Sequence, residues 1–221
     1  GTSTMTDGQV LSALRQALDR DAQLLAHCNG DRAAEQYLTL LAQAEREAGK
    51  KLCRPVMIHA QLLGLDQLER VKALGVIPSF FVAHVYHWGE IHVKNFGLDR
   101  AGRISPAGSA LAWGIPFTFH QDSPVIPPDM LETIWCACVR RTKTGRVLGA
   151  EERIPVEAAL RAVTQTAALQ YGLERELGTL RPGKRADFVL LSGDPLRTPP
   201  EELKKLQVER TIRCGRTIWS R

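Results

Sequence analysis

The sequence has no run of about 18 apolar residues, the length a membrane-spanning helix needs, so it encodes no such span. None of these residues reads as a secretory signal, with its basic start, apolar stretch and small-residue cleavage site. The five cysteines, Cys28, Cys53, Cys136, Cys138 and Cys214, include no C-x-x-C pair of the kind that builds a zinc module. An odd, unpaired set is expected to stay reduced in a cytoplasmic protein, with Cys136 and Cys138 on different faces of one helix. There is little excess charge of either sign: 29 Lys plus Arg against 24 Asp plus Glu leaves +5. The basic residues at 140–146, 181–185, 204–205 and 210–216 have no interleaved aromatics. They form neither a concentrated stripe nor a nucleic-acid module and are expected to be solvated surface charge. Neither nucleic acid nor membrane is expected as a partner.

What is present is an ordinary globular composition, 44% hydrophobic and 24% charged, over 221 residues. That length suffices for one well-buried domain, or one domain with a small appendage. Thr6 and Gln9 have the spacing of a capping box, and Val10, Leu11, Leu14 and Leu18 continue as a helical stripe to about residue 20. A second helix is expected over 31–48, stopped by Gly49, and a third over 65–74, closed by Gly75. Short apolar runs at 23–27, 55–59, 76–82 and 115–119 read as buried strands. A long loop is expected from Ala83 to about Ser105, followed by a short helix over 106–113 that begins with proline. Further helices are expected over 128–140 and 155–171. Strands alternating with helices predict parallel β/α units, side by side in chain order. After Gly178 the pattern changes to short β-like runs at 186–191, 208–213 and 216–219, with turns at Pro182-Gly183 and Cys214-Gly215.

The chemistry-bearing residues follow the strands. His27 closes the first, His59 closes the second, and Asp122 lies just past the fourth. In parallel α/β architectures the C-terminal strand ends carry the active site. Two neutral imidazoles and a carboxylate arriving at one rim suit a borderline divalent ion such as zinc. Each residue also has a plainer reading, as a hydrogen-bonded polar side chain at a strand end or as a turn former. Cys28 is expected to be a small buried residue, not a nucleophile, and Arg54 to anchor the sheet or a carboxylate.

Four body segments carry a resemblance: A-H-C-N-G-D-R-A (residues 26–33), R-P-V-M-I-H-A-Q (54–61), H-x-x-H-W-G (84–89) and T-F-H-Q-D-S-P-V-I-P-P (118–128). They resemble the branch of the amidohydrolase superfamily that includes N-substituted formamide deformylase. The tail G-T-L-R-P-G-K-R-A-D-F-V-L-L-S-G-D-P (178–195) is similar to the closing segment found across that superfamily. The resemblance implies an α/β fold, the C-terminal half of a (β/α)8 TIM-type barrel plus strands of a small β-sandwich. Residues 1–176 would supply barrel strands five to eight, and 177–221 the sandwich strands. It implies a divalent metal, zinc foremost, with His27 and His59 as ligands and Asp122 as both ligand and catalytic base. Apart from the resemblance, the loop position of His84, His87 and Trp88 suits substrate binding or orientation of a leaving group, with a solvent-facing role as the plainer reading, and His120 is expected to tune Asp122 through a hydrogen bond. The implied reaction is hydrolysis of a non-peptide carbon–nitrogen bond in a small amide or formamide. The family's His-x-His ligand pair is absent from the chain. The expectation is therefore a C-terminal part, inactive alone, whose open sheet edges are covered by the N-terminal half or a second copy. The alternative is a catalytically incompetent α/β fragment that acts as an assembly partner.

Overall fold

In the computed structural model, residues 4–221 are described. Helix α1 (Asp7–Asp19) starts at the expected capping box: Thr6 accepts from the Gln9 backbone, and the Gln9 side chain returns to the Thr6 backbone. Strand β1 (Leu25–Cys28), helix α2 (Asp31–Ala48), strand β2 (Val56–His59), helix α3 (Leu68–Ala73) and strand β3 (Ile77–Phe80) follow. Gly49 ends α2 in the left-handed conformation, as expected of a glycine stop. A single turn of 3-10 helix, Leu65–Gln67, precedes α3, so the stretch expected to form one helix forms two pieces closed at Gly75.

The segment after β3 corrects the sequence reading. A loop was expected from Ala83 to Ser105, but the chain forms α4 (His84–Phe96) and α5 (Leu98–Gly102). The N-terminus of α4 lacks a side-chain cap, so the usual start signal is missing. Its periodicity lies instead in Val85 and Gly89, buried together, and in His84, Trp88 and His92, spaced four apart along one face. Helix α6 (Ala107–Ala112) has Pro106 at its N-cap and not inside its first turn. Strand β4 is only Thr118–Phe119, and α7 (Met130–Val139) is capped by Asp129, which accepts from Leu131 and Glu132. The helix expected over 155–171 breaks at Thr164 into α8 (Val156–Val163) and α9 (Gln165–Gln170), because Thr164 leaves helical geometry at φ −127°, ψ −81°.

Strands β1 to β4 form one sheet, all parallel and in chain order. The inner strands β2 and β3 are almost wholly buried, whereas Leu25 and His27 on edge strand β1 are exposed. The core gathers Leu14, Leu18, Leu38 and Leu41 from α1 and α2 beneath Met57 and Phe80 of the sheet. A separate antiparallel sheet follows: β5 (Phe188–Leu191), β6 (Val208–Arg213) and β7 (Arg216–Ser220). Cys214 and Gly215, at φ 49° and 75°, make the two-residue hairpin turn between β6 and β7, where positive φ matches the strand twist. Phe188, Val189, Leu190, Ile218 and Trp219 of this small sheet are exposed. Among the described residues no helix is long and apolar enough to cross a membrane. All five cysteines are free, and Cys136 and Cys138 both lie on one helix, α7, whose residues from Thr133 to Val139 are buried.

Arg140 is the second correction. Counted with the surface charge, it is completely buried. Its guanidinium donates to four carbonyl oxygens: Leu148 at 2.9 Å, Ser105 at 3.2 Å, Gly102 at 3.1 Å and Ile104 at 2.9 Å. Burial lowers its pKa to about 10. Ser105 also donates its backbone N–H to Gln61 O, two residues beyond His59, so this clasp braces the turn that follows β2.

Candidate metal centre and its histidine cluster

Parallel strand ends bring the histidines together. His27 on β1 and His59 on β2 meet edge to face, with ring centroids 4.6 Å apart. His59, which ends β2, takes a left-handed backbone at φ 70°, and Ala60 follows at 45°. Asp122, past β4, is also left-handed at φ 53°. Non-glycine residues rarely hold this conformation, at a cost of roughly 1–2 kcal/mol, and such outliers concentrate at functional sites.

His120, two residues before Asp122, bonds two other side chains through its ring. Its Nε2 lies 3.1 Å from His59 Nδ1, and its Nδ1 lies 3.0 Å from the buried Ser79 hydroxyl on β3. Burial pushes the His120 pKa down to about 4, and burial with the neighbouring His27 lowers that of His59, while Asp122 acts in the opposite direction on both. Asp122 thus lies within electrostatic reach of two imidazoles. Its neighbour Gln121 is held from α7 by Thr133 at 3.0 Å.

Phe81 carries the cluster across to α4, with ring centroids 5.5 Å from His120 and 4.6 Å from His84. His84 packs tilted against Trp88, with ring centroids 4.7 Å apart, and shares a 3.1 Å hydrogen bond with His92. Burial first, and then the surrounding histidines, push its pKa down to about 3. His87 turns to the other side, where its Nε2 meets Glu132 of α7 at 2.8 Å. The residues expected to contact a substrate, His84, His87 and Trp88, therefore stand on one helix behind the rim.

The donor types suit a divalent ion, but the arrangement is not closed. Among the described residues, no group of three or more His, Cys, Asp or Glu side chains could hold a metal. His27 and His59 are adjacent; Asp122 does not complete a three-donor set with them. Cys28 is no candidate nucleophile, since burial raises its thiol to about 12. Arg54 bonds Glu174 at 3.0 Å, the carboxylate-anchoring role expected of it. Ser79, His92 and Glu132 were overlooked from sequence. Only Ser79 carried a signal, a polar residue inside an otherwise buried strand.

A family model described as "Amidohydrolase family" matches residues 1–219. The chain belongs to the amidohydrolase family. Amidohydrolase YtcJ of Bacillus subtilis is 26% identical over 100% of the chain, which covers 42% of that protein. N-substituted formamide deformylase of Arthrobacter pascens is 30% identical over 71% of the chain, covering 29% of that protein. Among solved structures, an uncharacterized metal-dependent hydrolase from Pyrococcus furiosus matches with a TM-score of 0.73 and 28% identity, over 89% of this chain and 39% of that one. This amidohydrolase chain thus spans less than half the length of these relatives. Its mixed α/β fold, with one parallel and one separate antiparallel sheet, is similar to that of metal-dependent hydrolases in the family.

Proposed function

We propose that the chain is the C-terminal half of a (β/α)8 barrel hydrolase, with β1 to β4 as barrel strands five to eight and residues 177–221 as part of a small β-sandwich. The reaction proposed is metal-dependent hydrolysis of a non-peptide carbon–nitrogen bond in a small amide or formamide. The observation that carries this reading is the placement of His27 in β1, His59 at the end of β2 and Asp122 just past β4 of one parallel sheet, with two of the three in strained left-handed backbone. A divalent ion, zinc by the donor set, supplies Lewis-acid polarisation and a more acidic water when bound. His27 and His59 offer it two imidazoles, and the remaining donors are assigned to the part of the relatives that this chain does not span.

Asp122 is exposed at the rim. Its carboxylate takes the proton of the attacking water and passes it to the departing amine, which leaves as a neutral product. His84 and Trp88 are proposed to meet the substrate from α4, whereas His87 is turned to Glu132. On this reading the chain alone does not turn over substrate, because an incomplete donor set leaves the reacting groups poorly placed, and about 1 Å of misplacement can cost on the order of a hundredfold in rate.

The test is metal content and turnover of the intact protein. Near-stoichiometric zinc is expected, lost in His27→Ala and His59→Ala. Asp122→Asn should keep the fold and abolish hydrolysis of N-substituted formamides and amides. A metal-free native protein, or an Asp122→Asn variant with near-native turnover, refutes the assignment. A second reading is favoured by the open three-donor geometry and by the exposed apolar side chains of β5 and β7. It takes the chain as an assembly partner without catalysis, covered by the N-terminal half or a second copy. Absence of metal in an otherwise well-folded complex would support it.

A further inference from the structure

Helix α4 carries a second pair of histidines, away from the strand ends. His84 and His92 share one face of it, two turns and about 12 Å of helical rise apart, so their rings meet only by reaching along the helix toward each other. His84 Nδ1 lies 3.1 Å from His92 Nε2. Packing fixes both ring planes. Phe81 stands perpendicular to His84 with centroids 4.6 Å apart, and Phe96 stacks on His92 at 5.6 Å and 15°. The two remaining nitrogens differ. His92 Nδ1 is enclosed and has no partner among the described residues, whereas His84 Nε2, also unpartnered, is not enclosed.

Burial lowers the pKa of both rings, that of His84 to about 3, so near neutral pH each ring is uncharged and holds one proton. Two arrangements satisfy the shared bond. If His84 Nδ1–H donates, the His92 proton is forced onto Nδ1, where it is a buried N–H with no acceptor. If His92 Nε2–H donates, the enclosed Nδ1 is only an unused lone pair, and the His84 proton faces outward on Nε2. Orphaned buried N–H groups are rarer than under-used acceptors. The second arrangement also puts both rings in the Nε2–H form that a free neutral histidine side chain prefers. Enclosure of His92 Nδ1 thus gives the bond its direction.

We propose that His92 is a positioning residue that holds His84 as an uncharged hydrogen-bond donor, with its Nε2–H presented to an acceptor oxygen of the substrate. Its purpose rests on the hydrolase reading; the tautomer can be read without it. His84 stands one aromatic ring, Phe81, from the rim histidines His59 and His120, with Trp88 packed against it. A ring in this state has no charge to give and, with Nδ1 occupied, no free lone pair, so it serves neither as a base nor as a ligand. It donates to a carbonyl-type oxygen without the desolvation cost of a cation.

The experiment uses the intact protein in its native, His84→Phe, His92→Phe, His92→Gln and doubly substituted His84→Phe/His92→Phe forms. Long-range ¹H–¹⁵N spectra of histidine-labelled protein at pH 7, with the His84 signals assigned by their loss in His84→Phe, read the tautomer. Native His84 should be protonated on Nε2 and bare on Nδ1, and a proton on Nδ1 overturns the proposal. Turnover of an N-substituted formamide supplies the second readout. One lost hydrogen bond in His84→Phe should lower kcat/KM about 10-fold, and loss of its orienting partner in His92→Phe about 3-fold. Because His92 acts through His84, the double variant should lose no more than His84→Phe alone, whereas losses that multiply to about 30-fold overturn the proposal. His92→Gln keeps a side-chain N–H for His84 Nδ1 and should stay within about twofold of native, guarding against a misfolded His92→Phe. A folded His92→Gln as impaired as His92→Phe also overturns it. If the native protein hydrolyses no amide or formamide, the hydrolase reading fails, and the spectrum alone decides the pairing.

Discussion

Removing the Arg140 guanidinium should be among the most damaging single changes in this chain. In Arg140→Met the side chain keeps much of its volume and loses every donor. The carbonyls of Gly102, Ile104, Ser105 and Leu148 lose their bonds to it. Ser105 O keeps one donor, the Ala107 N–H at 2.7 Å, so three carbonyls are left with no donor. Each buried orphan costs about 1–3 kcal/mol, so the raw loss is roughly 3–9 kcal/mol. Against this, the native protein holds a buried cation out of water, a cost of several kcal/mol only partly offset by Glu152 and Glu151 nearby, which the variant escapes. A net loss of about 4 kcal/mol follows, in the range of a broken buried charge network. Arg140→Lys retains the charge but cannot span four acceptors spread around a planar fork, and should lose about 2–3 kcal/mol. Equilibrium urea unfolding of the intact protein measures both. A loss below about 1 kcal/mol in Arg140→Met, or identical losses in the two variants, would show that the clasp does not hold the 102–105 segment against the β2 turn.

Three other outcomes follow from the same structure. His84, faced by His92, Trp88 and Phe81, is neutral in the fold down to about pH 3, whereas in the unfolded chain it takes up a proton near 6.5. The unfolded state therefore binds more protons between those values, stability falls as pH drops from 7 to 5, and His84→Phe should lose less over that range; equal pH slopes would refute this. Gly149→Ala places a Cβ 1.8 Å from Gly102 O at φ 69°, so it should cost more than about 3 kcal/mol, whereas Gly8→Ala on α1, whose Cβ would meet only Thr6 Oγ1 at 4.0 Å, should be neutral or stabilising by up to about 1 kcal/mol, both read from thermal melts. A double-mutant cycle on the His87–Glu132 pair should give a coupling of about 0.5–1.5 kcal/mol, since the pair is only partly buried, and zero coupling would remove its role in joining α4 to α7.

Local chemistry made much of the architecture legible. The Thr6–Gln9 capping box, the Gly49 stop and the parallel order of four strands are written in nearest-neighbour patterns and in apolar runs of strand length. So is the arrival of His27, His59 and Asp122 at strand ends, because a parallel strand delivers whatever residue follows it to one rim. Helix α4 was hidden because it has no cap and its aromatic and histidine face reads as irregular until it packs. Arg140 was hidden for a different reason. Among neighbouring basic residues, a buried arginine looks like any other, and only distant carbonyls from 102 to 105 and from 148 make burial tolerable. The Ser79–His120–His59 row belongs to the same class, since its members lie 41 and 61 residues apart in sequence. The sequence by itself determined which side chains could donate, accept or ligate, since that is a property of residue type and of the strand that carries it. Which nitrogen meets which hydroxyl, and which charge leaves water, only the tertiary structure decided, because hydrogen-bond direction and desolvation depend on partners that the chain brings together only by folding.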